Sequence, residues 1–333
     1  VMFWLARTLH DSGEEGDAKD IYKNLIKEDP LGYYSLIAHR EMDEPFETKI
    51  FKSSEKNASY KKNDSHLPHS LLTQIDLSYF NWLVATKESQ IAGDYLDTIS
   101  AKLRKDKKTE DETWSALFYL YAKTENFISL FSQLNNLKPG VRKTIISENT
   151  EIIFPNPFFE TVSQAANRFG ISPEFIYSIM RQESSFNPQA RSQMDAFGLM
   201  QLLPEVAKKS ADANAITLNG DEDLYLPYVN IPIGSAYLRE LWDKYNGELV
   251  LAVASYNASE PAIISWLKTR YRGDTLEFIE DIPYDETREY VKLVLRNLIS
   301  YQIINTKTDS SSFPEWTLKI SERDTASPKG KKN

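Results

Sequence analysis

The sequence predicts an all-α protein in two parts, a run of helical hairpins followed by a more densely punctuated, mostly α domain. Three observations carry this. Apolar residues recur at three- and four-residue spacing through long stretches rich in Leu, Ile, Ala, Lys and Glu. Glycine is scarce, at 12 of 333 residues. Pro, Gly, Asn and Ser fall between the periodic stretches and so mark turns.

The elements follow in order. Leu5, Ala6 and Leu9 precede a turn at Gly13, and Ala18, Tyr22 and Leu25 then repeat at helical spacing up to Pro30. The Ala18, Tyr22 and Pro30 spacing is that of one tetratricopeptide-type helix pair, with no regular array behind it. A short helix is expected from Gly32 to Arg40, and the aperiodic, polar 46–70 stretch reads as a loop or linker. Helical patterning resumes from Leu71 to Lys105, the charged run 105–112 reads as a solvated turn, and 114–122 with 127–134 form another hairpin. Pro139-Gly140 is expected to end it.

Prolines 155 and 157 mark a boundary near residue 150, so the expected parts are 1–150, 151–305 and a polar tail 306–333. In the second part Ser172-Pro173 reads as an N-cap followed by proline at the first helical position. Asn187-Pro188 stops that helix. Asn230 is expected to cap a helix running to Tyr245 and closed by Gly247, and further helices are expected over 248–256, 261–271 and 285–304. Within the tail only 313–320 is expected to dock, with disorder beyond Ala326.

Composition removes several classes of function. A net charge of −9 argues against a nucleic-acid binder. The absence of cysteine excludes disulfides, zinc–thiolate sites and cysteine nucleophiles. The four histidines all lie before residue 70, away from the motifs of the second part, and no metal-ligand spacing or Gly-rich phosphate loop is present. No cofactor or metal is therefore expected. No apolar run approaches transmembrane length. The helical pattern already running at Val1 suggests a chain whose natural start and any targeting signal lie upstream.

Glu183 is the leading candidate for chemistry. Ile176, Ile179 and Met180 lie seven, four and three residues before it, so its carboxylate continues the buried stripe of its helix. Poor solvation and the C-terminal end of the helix dipole both favour the protonated form, as a general acid at neutral pH requires. Taken singly, a Glu at a helix end reads as solvated or salt-bridged, here with Arg181 or Arg191 as partner. Around it four polar clusters can meet: Glu183 itself; Ser192 with Gly198 and Gln201; Tyr256 with Asn257; and Glu286 with Tyr290. Neutral hydrogen-bonding groups and tyrosines suit a ligand rich in hydroxyls and amides. Asn257 alone reads as a helix-end cap, and Tyr290 alone as core with a hydrogen-bonded tip.

The ordered set Glu183-Ser184-x-Phe186-Asn187-Pro188, Ser192, Gly198-Leu199-Met200-Gln201-Leu202-x-Pro204, Tyr256-Asn257-Ala258 and Glu286-Thr287-x-x-Tyr290-Val291 resembles the catalytic domain of soluble lytic transglycosylases, which is related to goose-type lysozyme. The resemblance covers roughly residues 155–305 and is specific, because separate motifs occur in the right order. The helices before it resemble the superhelical scaffold of the long soluble members, above all at Asp29-Pro30-Leu31-Gly32-Tyr33-Tyr34.

The resemblance implies a peptidoglycan-cleaving enzyme of the bacterial cell envelope, in the periplasm, with glycan strands as substrate and the scaffold free to hold a cell-wall protein partner. It implies that Glu183 acts first as acid and then as base, forming 1,6-anhydro-MurNAc ends with no second catalytic carboxylate. It further implies sugar or acetamido contacts for Ser192 and Gln201, positioning of Glu183 or the sugar by Tyr256, and a cleft-lining role for Glu286. Asp195, Leu203 and Ser259-Glu260-Pro261 depart from the family's usual residues and bear on subsites. Two rivals stand beside this reading: a lysozyme-type hydrolase using Glu183 and an activated water, with Asp195 assisting, and a helical-repeat adaptor with a silent glycan-binding domain.

Overall fold

The computed structural model describes residues 1–48, 67–106 and 109–321. Most of the 46–70 stretch, part of the charged run after Lys105 and the end beyond Ala326 lie outside the described residues. Helices dominate what is described. The first hairpin pairs Met2–Asp11 with Glu15–Glu28 across Gly13, whose φ of +88° is the turn's left-handed residue. Ala18 and Tyr22 of its second arm are buried, and Leu25 packs against the core. The Leu71–Lys105 periodicity is realised as three helices, His69–Leu72, Leu77–Ala85 and Ser89–Lys105, broken where Asp76 caps one start and Lys87 turns left-handed. Asp111–Thr124 and Phe127–Asn135 then form a hairpin, the second arm capped by the Asn126 side chain accepting from Ser129 N at 3.1 Å.

Pro139-Gly140 corrects the sequence reading. It opens the helix Pro139–Glu148 rather than ending one, because proline at the first helical position lacks only an N–H that would have had no intrahelical partner. A short turn, Thr150–Ile153, fills part of the boundary segment.

The second half packs Phe159–Phe169, Pro173–Ser184, Pro204–Ala213, Pro227–Lys244, Leu249–Asn257, Glu260–Arg270, Thr275–Glu280 and the long Asp285–Asn305. Ser172 caps the Pro173–Ser184 helix as read, accepting from Phe175 N at 3.2 Å. Asn230 does not cap. Its helix begins three residues earlier at Pro227, again with proline at the start, and Asn230 is fully buried.

The two halves share one apolar core. The Tyr33–Glu41 helix lies against Asp285–Asn305. Lys292 on the latter bonds Glu280 at 2.7 Å, and Tyr34 donates to the same carboxylate at 2.9 Å. Arg7 pairs with Asp274. The tail joins both halves too. Ser310–Ser311 pairs antiparallel with Phe46–Glu47, Trp316 meets Trp242 edge-on at 5.8 Å, and Leu318 and Ile320 are buried. Among the described residues no helix is long and apolar enough to cross a membrane.

Candidate active site

The site is built at the C-terminal end of the Pro173–Ser184 helix. Ile176, Ile179 and Met180 are completely buried, as the stripe predicts. Ser185 and Phe186 both take left-handed φ (49° and 64°), which ends the helix and swings the chain away. Phe186 is buried against Tyr177 and against Phe127 of the helical half, with ring centroids 5.5 Å apart in the latter pair. Asn187 then accepts from Gln189 N at 2.9 Å, a local turn that secures the stop. Glu183 is thus fixed on a short, well-anchored last turn.

Glu183 is half-buried, and its carboxyl is poorly solvated. Burial raises its pKa to about 7, the nearby Glu286 charge pushes the same way, and the hydrogen bond from Tyr290 opposes them. Tyr290 Oη donates to Glu183 Oε1 at 2.5 Å, and the ring is itself 5% exposed. Neither arginine proposed from the sequence pairs with Glu183. Arg181 turns away, donates to Ile153 O and stacks on Phe131, while Arg191 binds Asp195 at 2.9 Å. A carboxyl without a cationic neighbour keeps its proton more readily, so both departures favour the acid form.

The loop 190–202 lies beside this helix end. Ser184 Oγ donates to Leu199 O at 2.8 Å. Tyr256 Oη donates to Met200 O at 2.8 Å, and its ring lies 5.3 Å from Tyr237. Burial, followed by the Glu183 charge, raises the pKa of Tyr256, which keeps it a neutral donor. Gln201 takes a left-handed φ of 45°, and its Nε2 donates to Gly198 O at 2.9 Å and Ala190 O at 3.2 Å. Ser192 Oγ accepts from Ala196 N at 3.0 Å and Met194 N at 3.2 Å. Both side chains therefore brace the loop. Thr287 Oγ1 donates to Asn257 Oδ1 at 2.7 Å, which ties the start of the last long helix to the end of Leu249–Asn257. Glu286 is exposed at that helix start. Asp195 is exposed and held by Arg191.

Residues 160–279 match the family model described as the transglycosylase SLT domain. Over 320 residues the chain is 27% identical to the soluble lytic murein transglycosylase of Escherichia coli, covering 94% of this chain and 45% of that one. The solved structure of the 70 kDa soluble lytic transglycosylase from Escherichia coli superposes with a TM-score of 0.69 at 24% identity, over 90% of this chain and 45% of that one. An inactive glutamate-to-glutamine mutant of lytic transglycosylase Slt from Pseudomonas aeruginosa superposes with a TM-score of 0.67 at 24% identity, again over 90% and 45%. The chain spans somewhat under half the length of these relatives.

One residue of the matched stretch was misread from sequence, and it organises the loop. Asn230 Nδ2 donates to Phe197 O at 2.9 Å and Leu224 O at 2.8 Å, and its Oδ1 accepts from Met200 N at 2.9 Å. An asparagine surrounded by Val229, Ile231 and Ile233 on a helix is a polar group in an apolar run, and that mismatch was the available signal. Gly198 explains its own presence. Its φ is +72°, and a Cβ there would stand 2.2 Å from Leu224 O. Among the described residues no group of three or more His, Cys, Asp or Glu is placed to hold a metal ion.

Proposed function

We propose that this chain is the catalytic part of a peptidoglycan lytic transglycosylase that cleaves the β-1,4 bond from N-acetylmuramic acid to N-acetylglucosamine and leaves 1,6-anhydro ends. The observation that carries this is the Glu183–Tyr290 pair. It is a carboxyl group raised to about 7 by poor solvation, held by a neutral donor, with no cation bound to it. The SLT match and the murein transglycosylase relatives support the substrate class.

The reaction needs one proton donor that becomes an acceptor. Glu183 gives its proton to the bridging oxygen as the bond from that oxygen to C1 of the muramic acid breaks. Its carboxylate then takes the proton of the 6-hydroxyl, whose oxygen closes on C1. Atoms balance without water, and Glu183 ends protonated again. Tyr290 donates to Glu183 in both states and so keeps one oxygen fixed. Glu286, exposed at the helix start, favours the protonated form of Glu183 through its charge and lines the cleft. Ser192 and Gln201 brace the loop with part of their bonding capacity, and the Ser192 proton and Gln201 Oε1 are proposed to meet sugar or acetamido groups. Tyr256 and Asn257 shape the opposite wall. The boundary near residue 150, a scaffold before it and a tail after 305 belong to the same proposal, as do a periplasmic setting and a cell-wall protein partner for the scaffold.

Mass spectrometry of purified sacculi digested by the protein tests the chemistry. Anhydro ends are expected with the natural sequence, and fewer by on the order of a hundredfold or more with Glu183→Gln. Reducing ends would replace cyclisation by hydrolysis, and unchanged release by Glu183→Gln would remove Glu183 from its role.

A further inference from the structure

Where the two halves meet, a half-open cavity of about 270 Å³ lies beside the last turn of the Glu183 helix. Asp29 and Arg142 reach it from the helical half, Arg181 and Gln182 from the Glu183 helix, and Arg296 and Asn297 from Asp285–Asn305. Its charged lining is three guanidinium groups against one carboxylate. Among the described residues no carboxylate forms an ion pair with Arg142, Arg181 or Arg296. Grouping like charges in a poorly solvated place is unfavourable without an anionic partner. The effect is visible in Arg296, whose pKa burial and then the Arg181 charge push down to about 10, with the Asp29 charge opposing them.

The donors are also fixed in place. The Arg181 guanidinium stacks 3.9 Å from the Phe131 ring centroid and 4.6 Å from that of Phe154, and it donates to Ile153 O. Arg296 Nη2 donates to Asn297 Oδ1 at 2.8 Å. Asn297 is completely buried, and among the described residues no group accepts from its Nδ2. Planar guanidinium forks match the oxygens of a carboxylate or phosphate. The volume suits a small molecule.

We propose that this cavity binds a small oxyanion, a carboxylate- or phosphate-bearing molecule, which links the helical half to the Glu183 half. The proposal does not depend on the chemistry assigned to Glu183. Calorimetric titration of the whole chain with inorganic phosphate and, separately, glutarate tests it at fixed ionic strength, with sodium chloride as the reference. Saturable binding of at least one probe is expected, together with a melting temperature that rises with its concentration. The tighter probe identifies the phosphate or the carboxylate source. Arg142→Glu should weaken binding at least tenfold, and Glu183→Gln should leave it unchanged. If circular dichroism shows Arg142→Glu unfolded, Arg142→Gln serves instead. No saturable heat with either probe, equal affinity in the Arg142 variant, or loss of binding in Glu183→Gln would each overturn the site.

Discussion

In the helical half, buried polar side chains mostly finish regular structure; in the second half they hold irregular backbone in place. Asn126 caps its own helix, reaching only three residues along the chain, and Thr124 bonds Tyr121 O on its own helix. The farther-reaching group there, Gln133 with Ser100 and Asp97, joins two helix faces. Asn230, by contrast, spans about thirty positions to fix the backbone at Phe197 and Met200, Tyr256 reaches Met200 across fifty-six, and Tyr290 reaches Glu183 across 107. Helix-on-helix packing tolerates substitution of surface and boundary groups, whereas a loop held by single polar anchors does not. The proposed acid, Glu183, sits on the second kind of support because such a carboxyl must be both dry and reachable.

The largest expected effect that would sharpen this contrast is on activity. Glu183→Gln should lower glycan release by on the order of a hundredfold or more, measured as soluble muropeptide from sacculi, while an equally drastic change at Asn126 should leave the specific activity of folded protein intact. The same substitution carries a stability signature. Glu183 has a raised folded pKa, so its contribution is fully present below its unfolded value near 4.5 and is lost as pH rises through about 7. Glutamine should therefore stabilise the protein at pH 8 by up to about 3 kcal/mol, since each tenfold change in proton affinity between the folded and unfolded chain is worth roughly 1.4 kcal/mol. No gain is expected near pH 4. Urea titration at both pH values checks this; equal stability at pH 8 would mean that burial does not perturb Glu183.

Next in size are the loop anchors. Asn230→Ala leaves Phe197 O, Leu224 O and Met200 N without their partner and should cost about 3 kcal/mol or more, whereas Asn126→Ala should cost about 1 kcal/mol. Comparable losses would break the comparison. Gly198→Ala, which faces backbone at 2.2 Å as well as a positive φ, should cost several times more than Gly13→Ala, where the added Cβ meets nothing within 4 Å and strain alone is about 1 kcal/mol. Thermal melts of the four variants give both contrasts. The smallest effect is a displacement. Tyr290→Phe removes the hydrogen bond that holds the Glu183 pKa down, so the alkaline fall in activity should move to higher pH. A fall at lower pH would contradict the present assignment of that bond.

Much of the fold was legible because local chemistry decides it. The Ser172 cap, the Gly13 turn and the apolar stripe ending at Glu183 follow from neighbours within a few residues. Two errors share one cause. Pro139 and Asn230 each have a local meaning that proline-at-start geometry or a distant loop overrides. Ser192 and Gln201 were legible as polar groups near the site, but not as braces whose hydrogen bonds run to Ala190, Ala196 and Gly198.

The sequence by itself determined the helices and set an acid at the end of a buried stripe, since periodicity and capping act over one or two turns. Only the tertiary structure decided that Tyr290 bonds that acid, that neither nearby arginine does, and that Asn230 supports the loop beside it. Those outcomes depend on groups far apart in the chain meeting in poorly solvated space, where each hydrogen bond gained or left unmade has its largest effect.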